Sequence, residues 1–192
     1  MATYYSSDWH ADHFNCIGFC GRPFKDVDDM RETLIANHNA VVKPEDISIL
    51  IGDVALNLKT IPRLIPRLNG KKILIVGNHD KNFHLKKGAE KAQKIYDQYF
   101  DEIYTHQHRT VGDYPVYLNH FPFRSDDETE RYHMQRPTQD NLKGAVALLH
   151  GHTHSFDCVK GNAIHIGVDA RAYTPVSEDQ IIIEIKQILE NK

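Results

Sequence analysis

The sequence has few cysteines, no excess of positive charge and no long hydrophobic run, and each absence excludes a class of protein. The three cysteines are odd in number and lack the paired spacing of a structural zinc site, so we expect free thiols and a cytoplasmic location. With a net charge of −3 at pH 7, no extended nucleic-acid surface is expected. No apolar stretch is long enough to cross a bilayer, and no signal peptide is recognisable.

The residue type that stands out instead is histidine, which occurs 13 times. Histidine is the commonest metal ligand and a frequent acid or base. We expect about half of these histidines to be ordinary core or surface residues. The length of 192 residues is that of a single domain, taken as residues 1–192.

Alternating strand and helix signals predict a layered α/β fold. Apolar runs predict strands at residues 3–7, 47–51, 71–76, 116–118, 145–149 and 163–168. Helical spacing predicts helices at residues 26–42, 59–68, 86–99 and after Ser177. The long polar stretch of residues 122–141 is typical of a functional loop, and the sequence leaves open whether it closes as a lid.

Short polar clusters follow the predicted strands, where ligands gather beyond the carboxyl ends of an α/β sheet. The clusters combine carboxylates, imidazoles and one amide, which divalent metals accept as ligands. They are Asp8-Trp9-His10, Gly52-Asp53, Gly77-Asn78-His79-Asp80, Asn119-His120 and Gly151-His152-Thr153-His154. Together they predict a dinuclear metal site.

The spacing of residues within the clusters suggests how the ligands are divided between the two metal ions. Asp8 and His10 are two residues apart, so in an extended strand both side chains face the same way and can bind one metal. The carboxylate of Asp53 has two oxygens and can bridge two cations; alternatively, it caps the next helix. His152 and His154 repeat the two-residue spacing and can each serve a different metal.

The remaining clusters indicate acid–base and substrate-binding roles. Asn78 can offer its amide oxygen to a metal or to the substrate, and His120 can complete one metal site. His79 is predicted as a catalytic general acid, with Asp80 orienting either that imidazole or the loop. Arg124, in the polar stretch, is predicted to bind substrate because a guanidinium pairs with phosphate through two hydrogen bonds.

In chain order, the clusters contain the motifs D-x-H, G-D, G-N-H-[DE], H and G-H-x-H. This series resembles the motifs of the calcineurin-like metallophosphoesterases. The sequence around the motifs resembles a compact bacterial and phage subgroup of that family. The resemblance spans residues 8–154. It implies a four-layer αββα sandwich holding two metal ions bridged by Asp53. One ligand set that it implies is Asp8, His10, Asp53 and His154, and the other is Asp53, Asn78, His120 and His152.

The resemblance also implies an enzyme that hydrolyses small phosphodiesters or nucleotides, more than phosphomonoesters, by attack of a metal-bridging hydroxide on phosphorus. Since the implied ligands are all oxygen and nitrogen, Mn²⁺ is expected first, with Zn²⁺, Fe and Ni²⁺ as alternatives. Two other functions stay open: a metal-binding interaction scaffold without turnover, as in the retromer subunit of this fold, and a nuclease acting on nucleic-acid ends. No membrane partner is expected, and the sequence does not indicate an oligomeric state.

Overall fold

Two five-stranded sheets form the centre of the structure, a computed structural model that describes residues 1–191. Across the first sheet the strands are β10 (Val176–Ser177), β1 (Thr3–Ser6), β2 (Ile47–Leu50), β3 (Lys71–Ile75) and β4 (Glu102–Tyr104). Across the second sheet they are β5 (His106–Val111), β6 (Tyr114–Asn119), β7 (Ala147–His150), β9 (Ala163–His165) and β8 (Val159–Lys160). In each sheet the inner strands are parallel, which places their carboxyl ends at one edge.

The α-helices are α1 (Phe14–Phe19), α2 (Val27–Val41), α3 (Ile61–Leu64), α4 (Ala89–Tyr96) and α5 (Glu178–Glu190). Helices α2 and α5 begin where the sequence predicts, because the side chains of Asp26 and Ser177 cap their first turns. Within residues 1–191, none of the helices combines the length and hydropathy needed to cross a membrane.

Two predicted helices differ from the structure. The helix expected at residues 59–68 is a single α-turn between two short 3₁₀ turns, because Pro62 and Pro66 remove backbone donors. The helix expected at residues 86–99 is shorter and starts after Gly88, whose φ of 83° lies in the left-handed region.

Alternation of apolar side chains along the strands produces separate buried layers. On β2, Leu50 packs outward with Met30 and Leu34 of α2, whereas Ile49 packs inward against the second sheet with Val116. Helix α5 contributes to the same inter-sheet core. The predicted α/β fold with two packed sheets is confirmed.

The outer face of the second sheet is covered differently from the other faces. Here Tyr117 and Leu148 pack against Leu142, with Phe123 alongside. This covering layer comes from the polar stretch of residues 122–141 and the residues that follow it, which form two 3₁₀ turns, His133–Gln135 and Gln139–Leu142, instead of an α-helix. The stretch is therefore part of the fold and reaches the sheet edge where the polar clusters lie.

Candidate metal centre

Backbone hydrogen bonds lock the strand-end loops of the two sheets together. The N–H of Asp8 donates to the carbonyl of Gly52 at 3.1 Å, and that of His10 donates to the carbonyl of Asp53 at 3.0 Å. From the second sheet, the N–H of His152 donates to both carboxylate oxygens of Asp8 at 3.0 Å. The clusters predicted from the sequence thus meet at one place.

Several predicted ligands have left-handed backbone, which is rare for residues other than glycine. Their φ values lie between 47° and 74°; the residues are Asp8, His10, Asp53, His152 and His154. Each such position costs about 1–3 kcal/mol and persists only where the surroundings enforce it. The geometry also corrects the spacing argument, since Asp8 and His10 converge through tight turns and not through an extended strand.

The first ligand group contains Asp8, His10 and Asp53, which offer ligand atoms that all lie within 4.8 Å of one another. The Nε2 atom of His10 is 3.6 Å from Oδ2 of Asp53. His10 is 2% exposed, and neither of its ring nitrogens has a hydrogen-bond partner in residues 1–191. A buried imidazole without partners is unfavourable, so this group fits a divalent cation.

The second group brings four potential ligand atoms together. The amide oxygen of Asn78 lies 3.1 Å from Nε2 of His120 and 2.8 Å from Nδ1 of His152. Nε2 of His120 also lies 3.3 Å from Oδ2 of Asp53. Because Nδ1 of His120 lies 2.8 Å from the carbonyl of Ile51 and can donate its proton there, Nε2 presents a lone pair toward oxygens that are themselves acceptors. Such a cluster requires a proton or a cation at its centre.

The electrostatics of this group favour positive charge. Burial alone would lower the pKa of His120, but the Asp53 carboxylate outweighs it and raises that pKa to about 9. Burial would likewise raise the pKa of Asp53, yet His120 and His10 hold it well below its usual range. The Oδ2 atom of Asp53 faces both groups, as a carboxylate that bridges two cations would.

His154 is oriented by a carboxylate that the predictions did not include. Its Nδ1 donates to Asp169 at 2.8 Å, which leaves Nε2 as the ligand atom. Asp169 in turn accepts two hydrogen bonds from Arg22, at 2.7 and 2.8 Å. Asp169 directly follows the predicted strand at residues 163–168, so the same strand-end rule applied to that strand would have found it.

Two predicted catalytic residues have different surroundings. The ring centroid of His79 lies 5.2 Å from that of His10. The main-chain N–H of His79 donates to the Asp53 carboxylate at 2.7 Å. Asp80 instead accepts hydrogen bonds from the N–H groups of Asp53, Val54 and Gly77, at 2.8–3.0 Å. Of the two roles predicted for Asp80, these contacts support the one of fixing the loops. A catalytic role for Asp80 stays a prediction.

A cavity of about 550 Å³ adjoins the centre, between the 122–141 stretch and strand β9. Arg124 lines this cavity, but its guanidinium donates to the carbonyls of His133, Met134 and Arg136 at 3.2–3.4 Å, so it organises the stretch. A phosphate contact by Arg124 stays a prediction. Arg136, which the sequence did not single out, also lines the cavity, and its side chain is 3.4 Å from Glu130.

Gly151 permits the close approach of the two sheets at the centre, and alanine there is expected to weaken cation binding. A Cβ at Gly151 would overlap the side chains of Ser7 and Asp8, whereas one at Gly18 would meet nothing within 4 Å. Metal analysis after dialysis should show Gly151→Ala losing cations that Gly18→Ala retains. Equal retention in both variants would show that the close packing is not needed for the site.

The fold and the site together define an α/β protein with two packed sheets and a candidate two-cation centre. No protein-family model matches the chain. The uncharacterized protein MJ1445 of Methanocaldococcus jannaschii is 33% identical over 189 residues, covering 93% of this chain and 88% of that protein. The chain belongs to the same family as MJ1445. The Gene 66 protein of Mycobacterium phage L5 is 29% identical and covers 99% of the chain and 97% of its own length.

Solved structures show the same fold. The protein of unknown function AQ665 from Aquifex aeolicus superposes with a TM-score of 0.70 at 27% identity, covering 94% of this chain and 97% of its own. Phosphopantetheinyl hydrolase (PptH) from Mycobacterium tuberculosis superposes with a TM-score of 0.51 at 14% identity, covering 92% of this chain and 94% of its own. The chain thus shares its fold with both proteins, and at 14% identity the likeness to the hydrolase concerns the fold alone.

Proposed function

We propose that this protein hydrolyses phosphoester bonds, with small phosphodiesters or nucleotides as substrates, and that it uses two divalent cations. The proposal rests chiefly on the Oδ2 atom of Asp53, which lies 3.6 Å from Nε2 of His10 and 3.3 Å from Nε2 of His120. The amide oxygen of Asn78 in turn joins His120 to His152. The sequence motifs that resemble those of the metallophosphoesterases, and a fold shared with a protein named as a hydrolase, support it.

Two divalent cations in such a site would stabilise the attacking and leaving oxygens together and lower the pKa of a water molecule from 15.7 to about 7. Asp8, His10, Asp53 and His154 would hold one cation, and Asp53, Asn78, His120 and His152 the other. Because the members of both sets are oxygen and nitrogen donors, Mn²⁺ is the first choice.

His79 is the residue best placed to move a proton. It is only partly buried, it lies beside the His10 and Asp53 group, and its main chain is fixed by the Asp53 carboxylate. Burial lowers the pKa of its imidazole from the ordinary value. A lower pKa makes the protonated imidazole a stronger acid but leaves less of it at neutral pH, so the position of His79 and not its pKa supports protonation of a leaving oxygen.

The neighbouring cavity supports the proposed preference for diesters. A phosphodiester carries a second organic group, and a cavity of about 550 Å³ is large enough for a small one. Arg136 and Thr153 line its wall, and Thr153 directly follows His152, a proposed ligand of the second cation. A monoester has no group to place there.

The test is turnover of metal-stripped protein supplied separately with Mn²⁺, Zn²⁺, Ni²⁺ or Mg²⁺. The substrates are a chromogenic phosphodiester and the matching monoester. We expect hydrolysis only when a cation is added, with kcat/KM higher for the diester. Two bound cations without hydrolysis of either compound would instead favour a scaffold, and faster hydrolysis of the monoester would overturn the assignment to diesters.

Replacement of Arg136 by glutamine is expected to raise KM for the diester about tenfold. A hydrogen bond to a charged group contributes about 1.5–3 kcal/mol, and about 1.4 kcal/mol is a factor of ten. The matched control is Arg63→Gln, which changes an exposed arginine of α3 outside the cavity. Steady-state kinetics that give the same KM for both variants would remove Arg136 from substrate binding.

A further inference from the structure

Two cysteines lie against the metal centre. Cys16 is in helix α1 and Cys20 follows the helix as its C-terminal cap, so the two side chains are one turn apart. Their sulfur atoms are 3.4 Å apart, and Cys16 is 3% exposed. The third cysteine, Cys158, lies elsewhere and donates a long hydrogen bond to the carbonyl of Ala170 at 3.5 Å.

The sulfur of Cys16 is within reach of the same cation as two predicted ligands. Cys16, His10 and His154 each offer one ligand atom, and these three atoms lie within 4.8 Å of one another. A cation that binds nitrogen at about 2.0–2.1 Å and thiolate sulfur at about 2.3 Å holds two such ligands within roughly 4.5 Å of each other. Small adjustments of side chains therefore suffice to place one cation among all three.

The surroundings of His10 and His154 support a ligand on this side. Both ring nitrogens of His10 are buried and have no hydrogen-bond partner in the part of the chain that the structure describes. Because Nδ1 of His154 donates to Asp169, Nε2 is left as its ligand atom, and a ligand atom of His154 lies within 4.8 Å of those of His10 and Cys16. His10 and His154 therefore both have a ring nitrogen available for a cation on the side of the centre that faces helix α1.

We propose that Cys16 supplies a thiolate ligand to the cation held by His10 and His154, with Cys20 donating a hydrogen bond to that sulfur. The inference rests on the proposed two-cation function and refines it. When the cation binds, the Cys16 thiol releases its proton to solvent. Because thiolates favour Zn²⁺ over Mn²⁺, this position takes Zn²⁺ in preference to Mn²⁺.

The two cation positions therefore differ in chemistry. The position of Asn78, His120 and His152 offers only nitrogen and oxygen, so the expectation of Mn²⁺ still applies there. The expectation of Mn²⁺ for both positions assumed that no thiolate takes part. Cys16 lies at the centre because helix α1, which follows the first polar cluster, turns back onto that cluster.

The test uses Co²⁺ as a probe on the metal-stripped, fully reduced protein. A thiolate bound to Co²⁺ produces an intense sulfur-to-metal charge-transfer band in the near ultraviolet, and nitrogen and oxygen ligands do not. We expect this band in the unaltered protein and in Cys158→Ser, and its loss in Cys16→Ser. In a competition between Zn²⁺ and Mn²⁺, Cys16→Ser should lower the preference for Zn²⁺ at least about tenfold, as expected when a metal site loses a supporting group.

The outcomes separate this inference from the proposed function. Two bound Co²⁺ ions without the band, in a protein that hydrolyses the diester, would overturn the thiolate ligand and leave the proposed function standing. No binding of Co²⁺ would overturn both. Because the spectrum of the unaltered protein is itself a test, the result does not depend on the folding of a variant; Cys16→Ala and its thermal melting provide a second check.

Discussion

Replacement of His79 by alanine is expected to lower kcat by about 10²–10⁴-fold, the usual contribution of a general acid, while both cations stay bound. The imidazole lies beside the His10 and Asp53 group but belongs to neither set of converging ligand atoms. Its removal therefore takes away a proton donor and leaves the ligands in place. Stopped-time assays on the diester and metal analysis of the same samples would measure both quantities.

The matched control for this variant is His84→Ala, since His84 is exposed and only five residues further along the chain. We expect His84→Ala to keep the activity of the unaltered protein. If His79→Ala kept full turnover, proton donation would have to come from solvent. If it lost its cations, His79 would be acting as a ligand.

Replacement of Arg22 by alanine is expected to lower the free energy of unfolding by about 3–5 kcal/mol, as found when one partner of a buried ion pair is removed. The side chains of Arg22 and Asp169 are both fully buried and share two hydrogen bonds. Arg22 also donates to the carbonyls of Asp8 and Trp9 at 2.7 and 2.8 Å. Without it, Asp169 stays buried with only His154 as a charged partner.

Urea unfolding of the metal-stripped protein measures this effect without a contribution from bound cations. The control is Arg67→Ala, which breaks an ion pair with Glu32 at the surface, where both side chains are about half exposed. Exposed pairs contribute little, so the unfolding midpoint of this control should hardly move. Similar midpoints for the two variants would contradict a structural role for the buried pair.

The position of the candidate metal centre could be predicted from the sequence because strand-end clusters carry a strong local signal. Each cluster follows an apolar strand, and parallel strands bring their carboxyl ends to one edge. The local geometry could not be predicted in this way. Left-handed turns at Asp8 and His10 are enforced by hydrogen bonds to Gly52 and Asp53, which are distant in sequence.

Residues that act through other residues were harder to predict. The sequence left two roles open for Asp80, orienting the His79 imidazole or the loop, and the choice depends on how two loops pack so that Asp80 binds three of their backbone N–H groups. Arg136 lines the cavity because the irregular stretch of residues 122–141 passes there, and the path of such a stretch has no sequence pattern. The three cysteines are free thiols, as predicted, but the unpredicted helix α1 brings Cys16 and Cys20 to the centre.

If Asp53 is shared by two cations that act together, a titration of metal-stripped protein with a divalent cation will show it. Bound cation per chain and diester turnover are measured in the same samples, for the unaltered protein and for Asp53→Asn. We predict two cations per chain in the unaltered protein, with turnover rising as the second one binds, and loss of both binding and turnover in Asp53→Asn. Full turnover with one cation per chain, or in Asp53→Asn, would contradict the shared site.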